Sequence, residues 1–372
     1  MWRLWWIKAG ALTMFSPDEP FFLQWHITDR CDLACTHCYR DKVKPDLPLE
    51  SLKKIFENFR RLRDSMPQKK ARVQIAGGEP LLSEHLFSVL DLVASAGYQS
   101  RILTNGVSID NAAAKAIAVH GCRIVQISID GDADTHDAVR GAGNYQRAVD
   151  GARRLGEHGV EVTFAMTLTR ANMERTGAVF EAAKRYAKRV SFHRVVPCGR
   201  GAAQKGALLA GADIKRVFDG IYALKNSPGA PQVPLRDPLW KPYIRCPGTE
   251  PFVNGCSVGY GGICVESDGD VYPCRRMPIK LGNALTDDLA DIWAGEPISR
   301  MRDRDLLKGR CGRCPLRWKC GGCRAVAWAL NGDAFAEDPQ CFCNLPLAES
   351  LAYRLVTWMN RAAYREPPGG GA

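Results

Sequence analysis

Short apolar runs alternate with amphipathic segments through the first 225 residues, and this alternation limits the folds that the chain can adopt. The segments between the runs place apolar residues three and four positions apart, as helices do; Leu52, Ile55, Phe56 and Phe59 are an example. Six strands that alternate with helices predict an α/β fold with a parallel sheet, closed or partly closed, and right-handed crossovers. The predicted strands are 21–28, 72–76, 99–103, 123–129, 161–168 and 190–196. The predicted helices are 49–63, 84–96, one that follows Asp110, 145–158, 176–187 and 213–225.

Cysteine, glycine and polar residues follow the predicted strands at their carboxyl ends. Three cysteines at C-x3-C-x2-C spacing come after the first strand, and Gly77-Gly78-Glu79-Pro80 comes after the second. Asn105-Gly106 and Ser128-Ile129-Asp130-Gly131 follow the third and fourth strands. Because the carboxyl ends of parallel strands lie at one edge of a sheet, we expect a single functional site there. The three cysteines are Cys31, Cys35 and Cys38.

The three-cysteine motif predicts an iron-sulfur site with an open position. Three thiolates leave a cubane of four irons one ligand short, and a metal with an open position can bind and activate a small molecule. The alternatives are a partial zinc site or cysteines that belong to the core. The motif, its position behind a strand and the later Gly-Gly-Glu-Pro element resemble those of the radical S-adenosylmethionine (SAM) enzymes. That resemblance implies a partial (β/α)6 parallel barrel in which the free iron is chelated by the amino and carboxylate groups of SAM.

The resemblance also implies that the second strand end and the cysteine loop contact SAM. His37 takes the place of the family's aromatic residue near the adenine. The element from Gly77 to Pro80 resembles the one that holds the amino group of SAM. Glycines let the backbone approach a ligand closely, and Glu79 offers an acceptor to an ammonium group. An ordinary turn between a strand and a helix is the alternative for this element.

Residues at the later strand ends are expected to complete the SAM site. Asn105 is a candidate contact, and the resemblance implies that Ser128 and Asp130 reach the ribose hydroxyls, as carboxylates do in dinucleotide folds. Arg140 is a candidate for a bidentate contact with the carboxylate of SAM. A solvated surface arginine is the alternative for Arg140.

A second group of cysteines follows in the last third of the chain. It includes two C-x2-C pairs separated by only five residues. Zinc ribbons usually separate such pairs by about 15 to 20 residues. The pattern resembles the SPASM domain, an extension of many radical SAM enzymes that carries two auxiliary four-iron clusters. The last pair is usually C-x3-C in that family, so the role of Cys323 in its C-x2-C pair stays open.

The SPASM resemblance implies a ligand set for each auxiliary cluster. The expected outer ligands are Cys311, Cys314, Cys320 and Cys341. The expected inner ligands are Cys256, Cys274, Cys323 and Cys246, with Cys264 or an open position as the alternative to Cys246. The remaining cysteines are Cys122, Cys198, Cys264 and Cys343, as structural residues or alternative ligands.

These elements predict five segments. They are an amino-terminal extension (1–15), the radical SAM partial barrel (16–226), a proline-rich linker outside the core (227–245), the SPASM domain (246–345), and a closing helix with a disordered tail (346–372).

Composition excludes several other classes of protein. The net charge of +11 is dispersed, without the basic runs interleaved with aromatics that a nucleic-acid groove requires, so an acidic substrate or a solvated basic surface is favoured. No apolar run approaches the ~18 residues of a membrane span. Fifteen cysteines without a secretion signal indicate metal binding in a reducing cytoplasm rather than a disulfide framework.

The resemblance implies that the protein is an enzyme in which reductive SAM cleavage gives a 5′-deoxyadenosyl radical that abstracts hydrogen from an unactivated C–H bond. The first hypothesis for the substrate is a ribosomally made peptide that receives a carbon-sulfur or carbon-carbon crosslink, with the help of a separate recognition protein. The rival is a tetrapyrrole, because the segment from Cys311 to Ala325 resembles enzymes that trim heme precursors. An electron donor such as flavodoxin or ferredoxin is the expected partner in either case. An electron carrier or a zinc-ordered module is the non-enzymatic alternative.

Overall fold

The computed structural model describes residues 19–41, 43–66, 70–244 and 255–343. The predicted amino-terminal extension, Cys246, and the predicted closing helix and tail lie outside these ranges.

Six parallel strands in sequential order form the centre of the protein. Each strand pairs with the next one in the chain, so the α/β fold with a parallel sheet is confirmed. β6 does not pair with β1, which leaves the barrel open on that side. The strands are β1 (Phe21–His26), β2 (Ala71–Ala76), β3 (Gln99–Thr104), β4 (Ile124–Ser128), β5 (Glu161–Leu168) and β6 (Arg189–Arg194).

Helices connect these strands and cover the sheet. Six of the seven lie where the apolar periodicity predicts them; α4 is not predicted, because it is eight residues long and buries only His136. The helices are α1 (Leu49–Asp64), α2 (Leu86–Ser95), α3 (Asn111–Val119), α4 (Ala133–Arg140), α5 (Asn144–Glu157), α6 (Thr176–Tyr186) and α7 (Gly211–Lys225).

Helix α1 shows why the sequence forms these layers. It begins after Pro48, whose backbone is extended, and it carries Glu50 in its first turn, where a negative charge favours the helix dipole. Its apolar face is fully buried against β1: the ring of Phe59 lies 6.1 Å from that of Phe21, and the ring of Phe56 lies 6.4 Å from that of Trp25. Burial of this face outweighs the intrinsic preference of phenylalanine for strands.

The carboxy-terminal region continues the central sheet instead of forming a separate layer. β7 (Gly262–Val265) pairs in parallel with β1, and β8 (Asp270–Tyr272) and β9 (Gly282–Asn283) follow in antiparallel order. A Cβ atom on Gly262 would lie 2.1 Å from the carbonyl oxygen of Phe22, so this close pairing requires glycine. The edge of the barrel sheet at β1 is therefore covered by the cysteine-rich region.

Part of the segment predicted as a linker belongs to the core. α8 (Trp240–Ile244) begins with a buried tryptophan whose ring stacks on Phe218 of α7, with the ring centroids 3.8 Å apart. Leu239 beside it is fully buried. The prediction that this segment lies outside the core was wrong, because two large apolar residues suffice to anchor a stretch that has no periodicity.

The helices beyond the sheet are short. They are α9 (Leu289–Ala294), α10 (Glu296–Arg302), α11 (Gly309–Arg313) and α12 (Arg324–Asn331). Among the described residues, no helix has the length and apolar character needed to cross a membrane.

Candidate functional site

The cysteine loop lies at the carboxyl end of β1 and is fixed by neighbouring loops. The backbone N–H of Thr36 donates to the carbonyl of Val139 at 3.2 Å. Asp32, within the motif, accepts hydrogen bonds from the Asn105 side chain at 2.7 Å and from the Ser108 hydroxyl at 3.0 Å. The loop is therefore attached to the ends of β3 and α4, and Asp32 is a positioning residue that the cysteine spacing alone does not indicate.

Gly77 and Gly78 bring the end of β2 against the chain that enters the cysteine loop. The N–H of Gly78 donates to the carbonyl of Thr28 at 2.9 Å, and a Cβ atom on either glycine would lie within 2.3 Å of the carbonyl oxygen of Thr28 or Arg30. The close backbone approach that glycine allows is thus an approach to the cysteine loop itself.

The Glu79 side chain does not face the cavity. Its carboxylate is fully buried and accepts hydrogen bonds from the Thr104 hydroxyl at 2.7 Å, from the Asn105 N–H at 2.8 Å and from the Leu81 N–H at 3.2 Å. Burial raises the pKa of Glu79 to about 7 in spite of these donors. Pro80 is also buried and begins a short 3-10 helix. In this structure Glu79 joins the ends of β2 and β3.

Asp130, Arg140 and His37 form one buried cluster. The Nε atom of Arg140 donates to Asp130 at 2.6 Å, its Nη1 atom lies 3.6 Å from the Cys35 sulfur, and its Nη2 atom lies 3.4 Å from His37. Burial alone would raise the pKa of Asp130, but the charges of Arg140 and His37 outweigh burial and hold that pKa below its usual value. Asp130 is therefore an ion-pair partner of Arg140 and is fully buried.

A cavity lies at the carboxyl ends of the strands. The three cysteines of the motif line this cavity together with residues at the carboxyl ends of β2, β3, β4, β5 and β6. Of the predicted site residues, the cavity brings together Cys31, Cys35, His37, Cys38, Gly77, Gly78, Asn105, Ser128 and Arg140. Glu79, Pro80 and Asp130 do not line it.

The described lining of this cavity contains five arginines and neither aspartate nor glutamate. Two of the arginines are neutralised by buried carboxylates behind them, Arg140 by Asp130 and Arg194 by Asp237 and Asp338. The other three make no ion pair with any residue that the structure describes; they are Arg200, Arg275 and Arg276.

Arg275 and Arg276 also affect the residues beside them in the cavity wall. Burial, together with the guanidinium groups of Arg276 and Arg275, lowers the pKa of His193 to about 3, so its imidazole is neutral. Arg275 lies over the ring of Tyr39 and donates to Gln24. Sequence reasoning missed these arginines, because nothing in the spacing of Arg275 and Arg276 beside Cys274 distinguishes them from surface residues.

The predicted outer ligands share a second cavity. Backbone N–H groups already point at their sulfurs: Asp338 donates to Cys311 at 3.3 Å, and Gly322 donates to Cys320 at 3.4 Å. Cys343, which belongs to neither predicted ligand set, lines the same cavity. The lining cysteines are Cys311, Cys314, Cys320, Cys341 and Cys343.

The predicted inner ligands that the structure describes are Cys256, Cys274 and Cys323. Cys256 and Cys323 are buried, and the Cys256 N–H donates to the carbonyl of Cys320, which joins this group to the outer one. Cys264, the alternative to Cys246, lies on β7 with its sulfur 3.5 Å from Glu266 in a buried polar network.

The spacing of the thiols fits clusters better than single zinc ions. A tetrahedral zinc site holds its sulfurs at about 2.3 Å from one metal, which brings them within about 4 Å of one another. Among the described residues, one group of three potential ligands lies within 4.8 Å, namely His26, Cys264 and Glu266, and it contains a single cysteine. That group is held by an ion pair of Glu266 with Arg40. No three described cysteines lie within that distance of one another, so their spacing is wider than a single tetrahedral zinc ion requires.

Comparison with known proteins agrees with this arrangement of sites. Residues 25–183 match the radical SAM superfamily, and residues 256–315 match the SPASM iron-sulfur cluster-binding domain. The protein is a radical SAM enzyme with a SPASM domain. Its cofactors are SAM and four-iron clusters, which the cysteine-lined cavities can accommodate.

Relatives of the radical SAM/SPASM enzyme cover most of its length. The AdoMet-dependent heme synthase of Methanosarcina barkeri is 28% identical over 346 residues, which are 87% of this chain and 97% of the relative. The mycofactocin maturase MftC of Mycobacterium ulcerans is 29% identical over 346 residues, which are 87% of this chain and 88% of the relative. The structure of Streptococcus suis SuiB bound to SAM superposes with a TM-score of 0.72 at 20% identity, covering 88% of this chain and 78% of SuiB.

Proposed function

We propose that the protein abstracts hydrogen from a C–H bond of a substrate that carries ionised carboxylate groups. The observation that carries this proposal is the charge of the cavity wall, with five arginines and no carboxylate among its described residues. When bound, the SAM-chelating cluster and SAM supply a 5′-deoxyadenosyl radical that takes the hydrogen. The residues of the chain hold the cofactors, orient the substrate and limit the access of water.

Cys31, Cys35 and Cys38 would hold the SAM-binding cluster. Burial raises the pKa of Cys35, so iron has to displace the thiol proton when it binds. The Arg140 guanidinium beside Cys35 compensates part of the negative charge that three thiolates bring.

SAM itself would lie on the strand ends that line the cavity. Ser128, Gly77 and Gly78 line the cavity there, and Asn105 is fixed by its bond to Asp32. Glu79 and Asp130 support this surface from behind, by fixing β3 and Arg140 respectively.

The SPASM cysteines would hold auxiliary clusters. We assign Cys311, Cys314, Cys320 and Cys341 to the outer one, because they share one cavity. We assign Cys256, Cys274 and Cys323 to the inner one, with Cys246 as the fourth ligand, since Cys264 is engaged by Glu266.

A tetrapyrrole precursor is the substrate that the cavity favours. Such macrocycles carry several carboxylate side chains, and charge-assisted hydrogen bonds from arginine recognise carboxylates bidentately. Arg200, Arg275 and Arg276 are free of carboxylate partners in the described part of the chain, so they are available for this purpose. The similarity to heme synthases over 87% of the chain supports this assignment.

A peptide is the second candidate. The similarity to MftC maturases over 87% of the chain favours it, and a peptide with acidic side chains or a free carboxyl terminus would satisfy the same arginines. A separate recognition protein would then present the peptide to the cavity.

The test combines SAM cleavage with mass spectrometry of the substrate. Anaerobically reconstituted protein, once reduced, should form 5′-deoxyadenosine, and Cys35→Ala should abolish this while auxiliary iron is retained. Incubation with sirohaem-derived precursors should change their mass, and a parallel incubation uses peptides encoded near the gene. Formation of 5′-deoxyadenosine by Cys35→Ala would contradict the cluster assignment. If the peptide is modified and the tetrapyrrole is unchanged, the peptide becomes the favoured substrate.

Arg276→Met tests the role of charge. Loss of one charge-assisted hydrogen bond costs about 1.5–3 kcal/mol, so substrate turnover should fall at least about tenfold. Cleavage of SAM without substrate should continue, because Arg276 is not a ligand of the SAM-binding cluster. Arg216→Met, which removes an exposed arginine of α7, is the matched control. Full turnover by Arg276→Met would remove this arginine from the proposed carboxylate site.

A further inference from the structure

Two arginines of the SPASM region are buried without the carboxylate that a buried cation needs. Arg304 is 0% exposed and Arg324 is 2% exposed. Neither forms an ion pair with any carboxylate of the described residues, and the Nε atoms of both, as well as Nη1 of Arg304, have no hydrogen-bond partner there. Removing a cation from water costs several kcal/mol unless an anion compensates, so both sites are incomplete as protein alone.

A third buried arginine shows that this chain otherwise provides the anion. Arg194 is 2% exposed, as Arg324 is, and it is bound by two carboxylates, Asp237 at 2.8 Å and Asp338 at 2.9 Å. What distinguishes Arg304 and Arg324 from Arg194 is therefore not burial but the lack of a carboxylate.

Both unpaired arginines lie against the cysteine groups. The Nη2 atom of Arg324 lies 3.8 Å from the sulfur of Cys311, and its Nη1 atom donates to the carbonyls of Ala334 and Ala336, which fixes the direction of the guanidinium. The Nη2 side of the Arg324 guanidinium therefore faces the outer cysteine group.

Arg304 lies between the two cysteine groups. Its Nη2 atom donates to the carbonyl of Cys256 at 2.8 Å. A Cβ atom on Gly321 would lie 2.9 Å from Nη1, so the guanidinium is packed directly against the loop from Cys320 to Cys323. The ring of Tyr260 covers the other side, with Cζ 5.1 Å from its centroid, which excludes water.

We infer that Arg304 and Arg324 are the counter-charges of the auxiliary clusters and raise the reduction potentials of those clusters. A four-iron cluster with thiolate ligands is a net anion, and it gains one more negative charge on reduction. A fixed positive charge in a dry site therefore stabilises the reduced state more than the oxidised one. Arg324 acts on the outer cluster, through the thiolate of Cys311, and Arg304 acts on the inner cluster.

The direction of this effect suits the reaction. After hydrogen abstraction, the product radical has one electron to give up, and an auxiliary cluster that accepts it is reduced by that one electron. A higher reduction potential of the auxiliary clusters would favour this acceptance. This role does not depend on which substrate is used.

The test is a potentiometric titration followed by electron paramagnetic resonance on the anaerobically reconstituted full-length protein. Arg324→Met should lower the midpoint potential of the outer cluster, and Arg304→Met that of the inner one. A tenfold fall in the equilibrium constant for reduction, which is about 59 mV for a one-electron couple, is the expected size. Arg302→Met is the control, because its guanidinium donates to the carbonyls of Gly259 and Trp293, neither of which is a predicted cluster ligand.

Lysine variants separate a charge effect from a structural one. Arg324→Lys and Arg304→Lys keep the positive charge and lose the planar guanidinium, so they should retain full iron and have potentials close to those of the wild type. Potentials of the methionine variants equal to those of Arg302→Met would overturn the inference. If the methionine variants lose iron, the lysine variants decide: retained iron supports the counter-charge role, and equal loss of iron with lysine refutes it.

Discussion

At the level of single residues, burial and hydrogen bonding have opposite effects on the pKa of Glu79. Burial raises its pKa to about 7, whereas the donors on Asn105, Thr104 and Leu81 favour the ionised form without offsetting burial. The Gly-Gly-Glu-Pro element therefore contains a carboxyl group that is partly protonated near neutral pH, behind the surface on which SAM is expected to lie. Its charge is sensitive to any cation that binds at this strand end.

We expect Glu79→Gln to flatten the pH dependence of stability. In the folded chain Glu79 stays protonated up to about pH 7, whereas its usual pKa is 4.5. Between these values the unfolded chain binds fewer protons, so the free energy of unfolding falls as pH rises through this window and is level above it. One proton corresponds to about 1.4 kcal/mol per pH unit.

Anaerobic denaturant unfolding between about pH 5.5 and pH 8 measures this difference. The wild type should lose stability towards neutral pH, and Glu79→Gln should show a smaller slope from a lower starting value, because the amide cannot accept from all three donors. Glu84→Gln, at an exposed side chain, is the control and should keep the wild-type slope. Equal slopes for wild type and Glu79→Gln would show that Glu79 is ionised throughout.

At the level of elements, the Asn58 side chain of α1 binds the backbone of the SPASM region. Asn58 is buried at 3% exposure, and its amide donates to the carbonyls of Ala284 at 2.9 Å and Asp287 at 2.8 Å. Its oxygen accepts from the N–H of Leu289 at 3.0 Å, the first residue of α9. One asparagine thus satisfies three backbone groups at a buried helix end.

Asn58→Ala should destabilise the protein by about 2–4 kcal/mol, because it leaves buried backbone groups without partners. Urea unfolding of the reconstituted protein, with the iron content measured in parallel, checks this value. Glu57→Ala, on the exposed face of the same helix, should change the free energy of unfolding by less than about 0.5 kcal/mol. A comparable loss in both variants would mean that the three hydrogen bonds of Asn58 are not responsible.

The same elements show what the sequence can predict. Except for α4, the strands and helices of the barrel have periodicity over whole turns or pleats, so they could be predicted from the sequence. β7, β8 and β9 have four, three and two residues, too few for a period, and the partner of β7 is β1, more than two hundred residues away. Pairing at such separation is decided by tertiary packing, which leaves no local signal.

The candidate site, like the fold, could be predicted only in part from the sequence. Of the residues predicted at the strand ends, the three cysteines, Ser128 and Asn105 line one cavity. Strand-end placement could not predict that Glu79 and Asp130 turn away from the cavity, because their directions are set by backbone N–H groups of Asn105 and Thr167, which belong to neighbouring strands. Which side of a strand end a carboxylate faces depends on the donors that folding brings near it.

At the level of the whole molecule, one cluster of buried charges joins three regions. Arg194 at the end of β6 binds Asp237 of the former linker and Asp338 of the SPASM region. Asp338 in turn accepts from the Cys323 N–H at 2.8 Å, while its own N–H donates to the Cys311 sulfur. A continuous set of contacts therefore runs from the wall of the substrate cavity to both groups of auxiliary cysteines, and it depends on a single guanidinium.

Arg194→Met should therefore lower both the stability of the protein and the retention of auxiliary iron. Removing the cation leaves the carboxylates of Asp237 and Asp338 without compensation, which costs about 3–5 kcal/mol. In the wild type, Arg194 holds the pKa of Asp338 below its usual value, although burial acts in the opposite direction. Without Arg194, we expect the pKa of Asp338 to rise. Because a protonated Asp338 accepts less strongly from Cys323, auxiliary iron should be lost before SAM-cluster iron as pH falls. Denaturant unfolding and iron analysis over a pH series measure both effects. Arg216→Met breaks an exposed pair with Glu174 and should change stability by at most about 1 kcal/mol, so equal behaviour of the two variants would show that Arg194 does not couple the barrel to the clusters.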